Sequence, residues 1–468
     1  MKRNMRAAVP LLVMMLLATA CGARFKNTEV SAKKGAAANG GLGGNETSSA
    51  ATGAETATTA APGPEAAAPG AAAPGAAAPG GGTAGGGGGP TGGGTPGGGG
   101  AAGGLDPGPT TGVTDTTIKI GYLLPLTGAA PVPSNFDKGA NVYWNYVNQK
   151  QGGINGRKVQ IVIEDTQSSA SVGKDKAKKL IESDKVFMII VLDRLENQQA
   201  LGDYLDSRHV PNLEIQTPAN LSASHIWTFG VTIDHAVQGK LIADYFFKVL
   251  KATKVAIVYE NVPQLLPGRD AFTNETNALG GKVTYSKAID GQANDFSNEA
   301  LGLRQSGATA TWLYMAPTPA AKLANTADAA GYHPTWFANS ISWQFNLVFT
   351  VAPKALAGAR AFSPWLPLSD PRTNTYQQAY RDQYGQAPDD LGLVGWGVGQ
   401  IAAEGMRRAG KALGQNSFRA AMQALNFRPD LWAPLAFGPT TRQGANVVAV
   451  LREAGGRWAL ERDFTASF

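Results

Sequence analysis

The sequence predicts an α/β protein of two doubly wound lobes. Three observations carry that expectation. Apolar runs of strand length alternate with segments of helical periodicity, the alternation comes in two series, and residues 113–468 form a stretch longer than one core usually supports. Residues 118–124 (IKIGYLL) read as the first strand, closed by the turn Pro125-Leu126-Thr127-Gly128. Phe136, Ala140, Tyr143 and Val147 then recur at helical spacing and give one apolar face. The Gly152-Gly153-Ile154-Asn155-Gly156 cluster ends that helix, and residues 159–163 read as a second strand stopping at Glu164-Asp165. Val172, Lys176, Leu180 and Ile181 mark a second helix. Residues 186–191 (VFMIIV) are apolar throughout, the pattern of a parallel strand covered on both faces. Leu201, Tyr204 and Leu205 fit a third helix, and residues 211–215 a fourth strand.

The second series opens with a helix over about 235–250 and a strand at 255–259. Strands at 283–285, 312–315 and 336–338 follow, with helices around 270–279, 294–306 and 320–330. Two such series imply two doubly wound lobes, whose ligands sit outside the carboxyl ends of the strands.

Ahead of these lobes the chain carries an address. Lys2, Arg3 and Arg6 precede a short apolar run, residues 7–19, that ends in Ala18-Thr19-Ala20-Cys21-Gly22, so residues 1–20 read as an export signal. Cys21 is the only cysteine in 468 residues. Its setting resembles the lipobox of bacterial lipoproteins, whose cysteine is lipidated and becomes the mature N-terminus, although Ala18 stands where leucine is commonest. A plain secretory signal with an incidental cysteine is the alternative. Residues 21–112 are then a lipidated start and a tether. From Asn27 to Gly112 the chain is Gly, Ala, Pro and Thr with almost no large apolar side chain, so nothing offsets the entropy of ordering it. As a coil of about 85 residues it would reach roughly 50 Å. A glycosylated stalk is the competing reading of its threonines.

Charge and chemistry exclude several classes. A net charge of +6, from 41 basic and 35 acidic residues, is too weak to argue for nucleic acid. The histidines, His209, His225, His235 and His333, show no metal spacing. No Gly-x-Ser-x-Gly or Walker loop occurs, so neither an enzyme, a metal site nor a cofactor is expected.

The segments IKIGYLLPLTG, QGGINGRKVQIVIED, KVFMIIV and HVPNLEI occur in an order that resembles the type I solute-binding proteins of ABC importers, of the branched-chain amino-acid class. KVAIVYEN with Gly268, FSNEALGLRQSGATATWLY, AGYHPTWFAN and the late LAFGPTTRQG turn extend the likeness through the second lobe, so that it covers residues 117–468. The resemblance implies lobes of residues 113–230 plus 359–446 and 231–358 plus 447–468, joined by a three-segment hinge with a ligand cleft between them. It implies an extracytoplasmic, lipid-anchored protein that captures a small organic solute and passes it to ABC permease subunits.

Within that likeness the binding loops depart from the family. Relatives that bind leucine-like amino acids often hold the ligand carboxylate with a G-x-x-x-S loop after the third strand. This chain has Leu192-Asp193-Arg194-Leu195-Glu196-Asn197 there. Arg194 could supply a bidentate donor, or Asp193 and Glu196 could hold it in a surface salt bridge. Gln216 and Thr217 follow the fourth strand at positions that usually hydrogen-bond the ligand. In the second lobe Glu260 and Asn261 precede leucines where an aromatic side chain is common. Asn339, Ser340 and Trp343 follow the strand after which relatives often place an ammonium-binding acid. Trp343, Trp365 and Trp396 are candidate cleft aromatics, with core or hinge packing as the alternative. Losing both the serine loop and the acid argues against an ordinary α-amino acid and for an amide, polyol, aromatic acid or other neutral organic solute. Two further functions are carried: a ligand sensor of the same fold signalling to a membrane partner and, more remotely, an enzyme.

Overall fold

In the computed structural model, residues 106–128, 135–215, 225–338 and 346–468 are described; all lie in one structural unit, Thr95–Phe468. Cys21, the export signal and nearly all of the tether fall outside them, as do Gln216, Thr217, Asn339, Ser340 and Trp343.

Two sheets organise the chain. The first is built from β1 (Thr117–Leu124), β2 (Lys158–Asp165), β3 (Met188–Val191), β4 (Asn212–Glu214) and β5 (Thr228–Ile233). The second takes β6 (Lys254–Glu260), β7 (Lys282–Ile289), β8 (Ala310–Tyr314), β9 (Thr335–Ala338) and β10 (Arg360–Ser363). The short strands β11 (Asn426–Phe427), β12 (Leu435–Ala436) and β13 (Gln443–Ala445) return to the first sheet, and β14 (Val448–Glu453) and β15 (Trp458–Thr465) finish the second. The orders are β11-β12-β13-β5-β4-β3-β1-β2 and β15-β14-β10-β9-β8-β6-β7. The parallel cores are therefore the same arrangement twice, with a switch point beside β1 in one sheet and beside β6 in the other, where a crevice opens at the strand ends. Sheet membership changes three times, after β5, β10 and β13, which gives the three crossings between lobes.

Burial explains why these segments became strands. β3, β4, β5 and β8 are buried at every position, as parallel strands covered by helices on both faces must be. Helix starts follow local chemistry. The Asp234 carboxylate accepts from the Ala236 and Val237 amides and starts the His235–Asp244 helix, and the Asp389 carboxylate accepts from the Gly392 amide at the head of Asp390–Ala409. That last helix packs backbone to backbone on Phe136–Lys150. A Cβ on Gly139 would stand 1.8 Å from the Gly392 carbonyl oxygen, so no side chain fits there.

Several boundaries move. The helices expected from 270, 294 and 320 begin at Leu266, Ser297 and Pro317; in the first and last, Pro267 and Pro317 sit in the opening turn, where a missing N–H costs nothing. Residues 186 and 187 precede β3 rather than belonging to it. The return to the first lobe, expected at 359, falls after Ser363, because β10 pairs in parallel with β9 and antiparallel with β14 inside the second sheet. Among the described residues no helix is long and apolar enough to cross a membrane.

Candidate functional site

A cavity of about 1420 Å³ lies where the carboxyl ends of the two parallel cores meet. Residues 192–196 after β3 line it from the first lobe. From the second come residues 260–262 after β6, 288–294 after β7 and 314–319 after β8. Trp365 after β10 and residues 388–391 at the head of the Asp390–Ala409 helix close the hinge side.

The loop after β3 is held by its own lobe. Asp193 is 4 % exposed, and its carboxylate accepts from Thr166 Oγ1 at 2.6 Å, the Arg194 amide at 2.7 Å and Asn197 Nδ2 at 3.0 Å. Burial pushes this carboxyl above the ordinary range despite those donors. Asp193 therefore braces the loop, and Asn197, which does not line the cavity, braces Asp193. Of the two readings weighed for Arg194, the ion pair is present, with Glu196 and not with Asp193, whose carboxylate accepts from the Arg194 backbone amide instead. Arg194 Nε donates to Glu196 Oε1 at 2.6 Å, while the side chain lines the cavity with its terminal nitrogens unpaired among the described residues.

Glu260 faces this pair from the second lobe. Its Oε1 accepts from the Ala316 amide at 3.1 Å, and no cation lies within ion-pair distance of it among the described residues. Burial raises its pKa. The Ala316 N–H and the Arg194 charge oppose that rise, and Glu196 and Asp290 add to it. Asn261 also lines the cavity. Trp365 is buried to 2 % and packs on Trp432 with ring centroids 5.2 Å apart, so it serves both the hinge and the cavity wall. Trp396 is a correction. It sits in the first-lobe core against Tyr143, Tyr146 and Tyr376 and does not reach the cavity, because the helix carrying it is buried on nearly every side.

Several lining residues escaped the sequence reading. Asp290 and His235 follow β7 and β5, and Tyr314 is the last residue of β8, three strand ends that the carboxyl-end rule marks as readily as those it was applied to. Asp390 is 8 % exposed, accepts from the Asn346 amide at 3.1 Å, and is pushed up to about 6 by burial. Among the described residues the cavity is lined by six carboxylates, Asp193, Glu196, Glu260, Asp290, Asp389 and Asp390, against two cations, Arg194 and Lys322. Lys322 Nζ donates to Asn294 Oδ1 at 2.6 Å. No group of three His, Cys, Asp or Glu side chains among the described residues is placed to hold a metal ion.

A cavity lined by hydrogen-bonding loops from two lobes, with three chain crossings behind it, defines a solute-binding protein. The family model described as periplasmic binding protein matches residues 117–457. The chain belongs to that family. A Leu/Ile/Val-binding protein homolog of Brucella abortus is 25 % identical over 312 residues, covering 66 % of this chain and 82 % of the relative. Among solved structures, the fatty acid ABC transporter substrate-binding protein of Thermomonospora curvata is 21 % identical with a TM-score of 0.66, covering 77 % of this chain and 95 % of that one. A solute binding protein of an ABC transporter from Rhodopseudomonas palustris, in complex with 3,4-dihydroxybenzoic acid, is 16 % identical with a TM-score of 0.64, covering 76 % and 98 %.

Proposed function

We propose that this chain is an extracytoplasmic lipoprotein, anchored through Cys21, that captures a small organic solute without net negative charge and delivers it to ABC permease subunits. The observation that carries the ligand reading is the excess of carboxylates around a cavity built by both lobes. An anion entering it would lie against several of them, whereas a cationic solute, or a neutral one that brings a hydrogen-bond donor, would offset the burial of Glu260. Solved structures of this fold include a fatty acid transporter's substrate-binding protein and a complex with 3,4-dihydroxybenzoic acid, so the fold sets no ligand class by itself. An ordinary α-amino acid is disfavoured, since no glycine–serine loop follows β3. Arg194, Glu260, Asn261 and Trp365 are the proposed ligand contacts, with Asp193 and Asn197 shaping the loop.

A thermal-shift screen with neutral, cationic and anionic arms tests this reading. A ligand at 100 times its Kd adds about 2.7 kcal/mol to the folded state. Hits confined to the neutral and cationic arms support it, and tight binding of carboxylates alone would overturn it.

A further inference from the structure

His235 is the first residue of the helix that leaves β5 for the second lobe, and it lines the cavity. It is 5 % exposed. Its Nδ1 is hydrogen-bonded to the Tyr314 hydroxyl, and its Nε2 is buried with no partner among the described residues. An unpaired buried polar atom costs stability; here the side chain that carries it lines the cavity, while Nε2 itself has almost no accessible surface.

The tautomer follows from the network. Tyr314 is fully buried, and its hydroxyl has one partner among the described residues, His235 Nδ1. A phenol hydrogen left without an acceptor would be a second orphan, so the hydroxyl donates to the Nδ1 lone pair. The imidazole proton is then on Nε2. Burial supports a neutral ring: it lowers the His235 pKa to about 4, opposed by the Asp234 charge, and it raises Tyr314 well above its ordinary value. The pair is held on three sides. Tyr314 stacks on Trp312 at 4.2 Å between centroids, Asp234 caps the helix below, and a Cβ on Gly268 would come within 2.8 Å of the Tyr314 oxygen. Gly268 is thus what lets the hydroxyl reach the imidazole.

We propose that His235, oriented by Tyr314, is the neutral hydrogen-bond donor of the cleft, and that the ligand end docking on it carries an uncharged acceptor oxygen, as in a carboxamide or an alcohol. A carboxylate would satisfy Nε2–H equally well as an acceptor, but it would come into the field of Asp234, which caps the helix beside the pair, in a cavity already lined by six carboxylates. This rests on reading the cavity as the solute site.

The test uses the full chain labelled with ¹⁵N-histidine and three probes of one shape: benzamide, benzoate and benzylamine. Long-range ¹H–¹⁵N spectra, assigned with His235→Phe, are expected to show a protonated Nε2 and a bare Nδ1 at neutral pH. Tyr314→Phe should mix the two tautomers. Benzamide should shift Nε2 at a concentration at least tenfold below that needed for either charged probe. The double variant His235→Phe/Tyr314→Phe removes both partners at once, so its melting temperature should hold or rise while benzamide affinity falls tenfold or more. A bare Nε2 in the wild type overturns the proposal. So does a double variant that keeps its affinity, or a set in which no probe moves Nε2. If a solute from the wider screen perturbs loops of both lobes yet leaves Nε2 unmoved, this inference fails and the solute site stands. If nothing perturbs both lobes, the site reading fails with it.

Discussion

Asp390→Asn is the most informative single change at the cleft, because its effect can be worked out in sign and size. Asp390 stands at the head of the Asp390–Ala409 helix, buried at the hinge side of the cavity, and its carboxylate accepts from the Asn346 amide of the other lobe. Burial is the largest influence on it and lifts its pKa from 3.8 to about 6; the Asn346 amide works against the rise and the neighbouring Asp389 charge adds to it. For a raised carboxyl the linkage runs one way. The folded state holds the proton more tightly than the unfolded chain, so stability is fully present below about pH 3.8 and is lost as pH rises to about 6. The full loss is about 3 kcal/mol, of which roughly half develops between pH 5 and 8. Asparagine has the shape of the protonated acid and cannot ionise. Urea unfolding of the two proteins at pH 5, 6, 7 and 8 should show the variant gaining on the wild type by about 1.5 kcal/mol across that range, with unchanged m-values. A constant difference, or a variant that falls further behind as pH rises, would refute the claim that the ionised Asp390 is buried at a cost.

Three other outcomes are expected. Gly139→Ala must part the two first-lobe helices, since its Cβ would meet the Gly392 carbonyl oxygen; a loss of about 1–3 kcal/mol or more by denaturant unfolding is expected, against much less for the helical Gly173→Ala, whose Cβ would make only ordinary contact with Thr166. Arg194→Ala breaks an ion pair whose side chains are 39 % and 44 % exposed, so stability should change by less than about 1 kcal/mol, while calorimetry with a screen hit should show weaker binding. Cys21→Ser should move the protein from the membrane fraction to the soluble one without altering its melting temperature. Retention of the variant after a high-salt wash would contradict lipid anchoring.

The strand–helix alternation was legible because parallel strands buried on both faces must be apolar, and each series here repeats the same order of strands. The C-terminal strands were not, since β11 and β12 span two residues each and carry no periodicity. At the site, the loops after β3 and β6 could be found by rule, and Asp193, Arg194, Glu196, Glu260 and Asn261 do come together. Direction was the part the sequence hid. Trp396 lies in the second turn of the Asp390–Ala409 helix rather than at its opening, and glycines on that helix draw it against Phe136–Lys150 and turn the ring into the core. His235 looked like a lone histidine because its partner, Tyr314, is 79 residues away in the chain.

Hydrogen exchange with and without a solute that raises the melting temperature tests the central claim most directly. If the cleft is the binding site, protection should rise together in residues 192–196 of the first lobe and in residues 260–262 and 288–294 of the second. Protection confined to one lobe, or placed away from these strand ends, would contradict it.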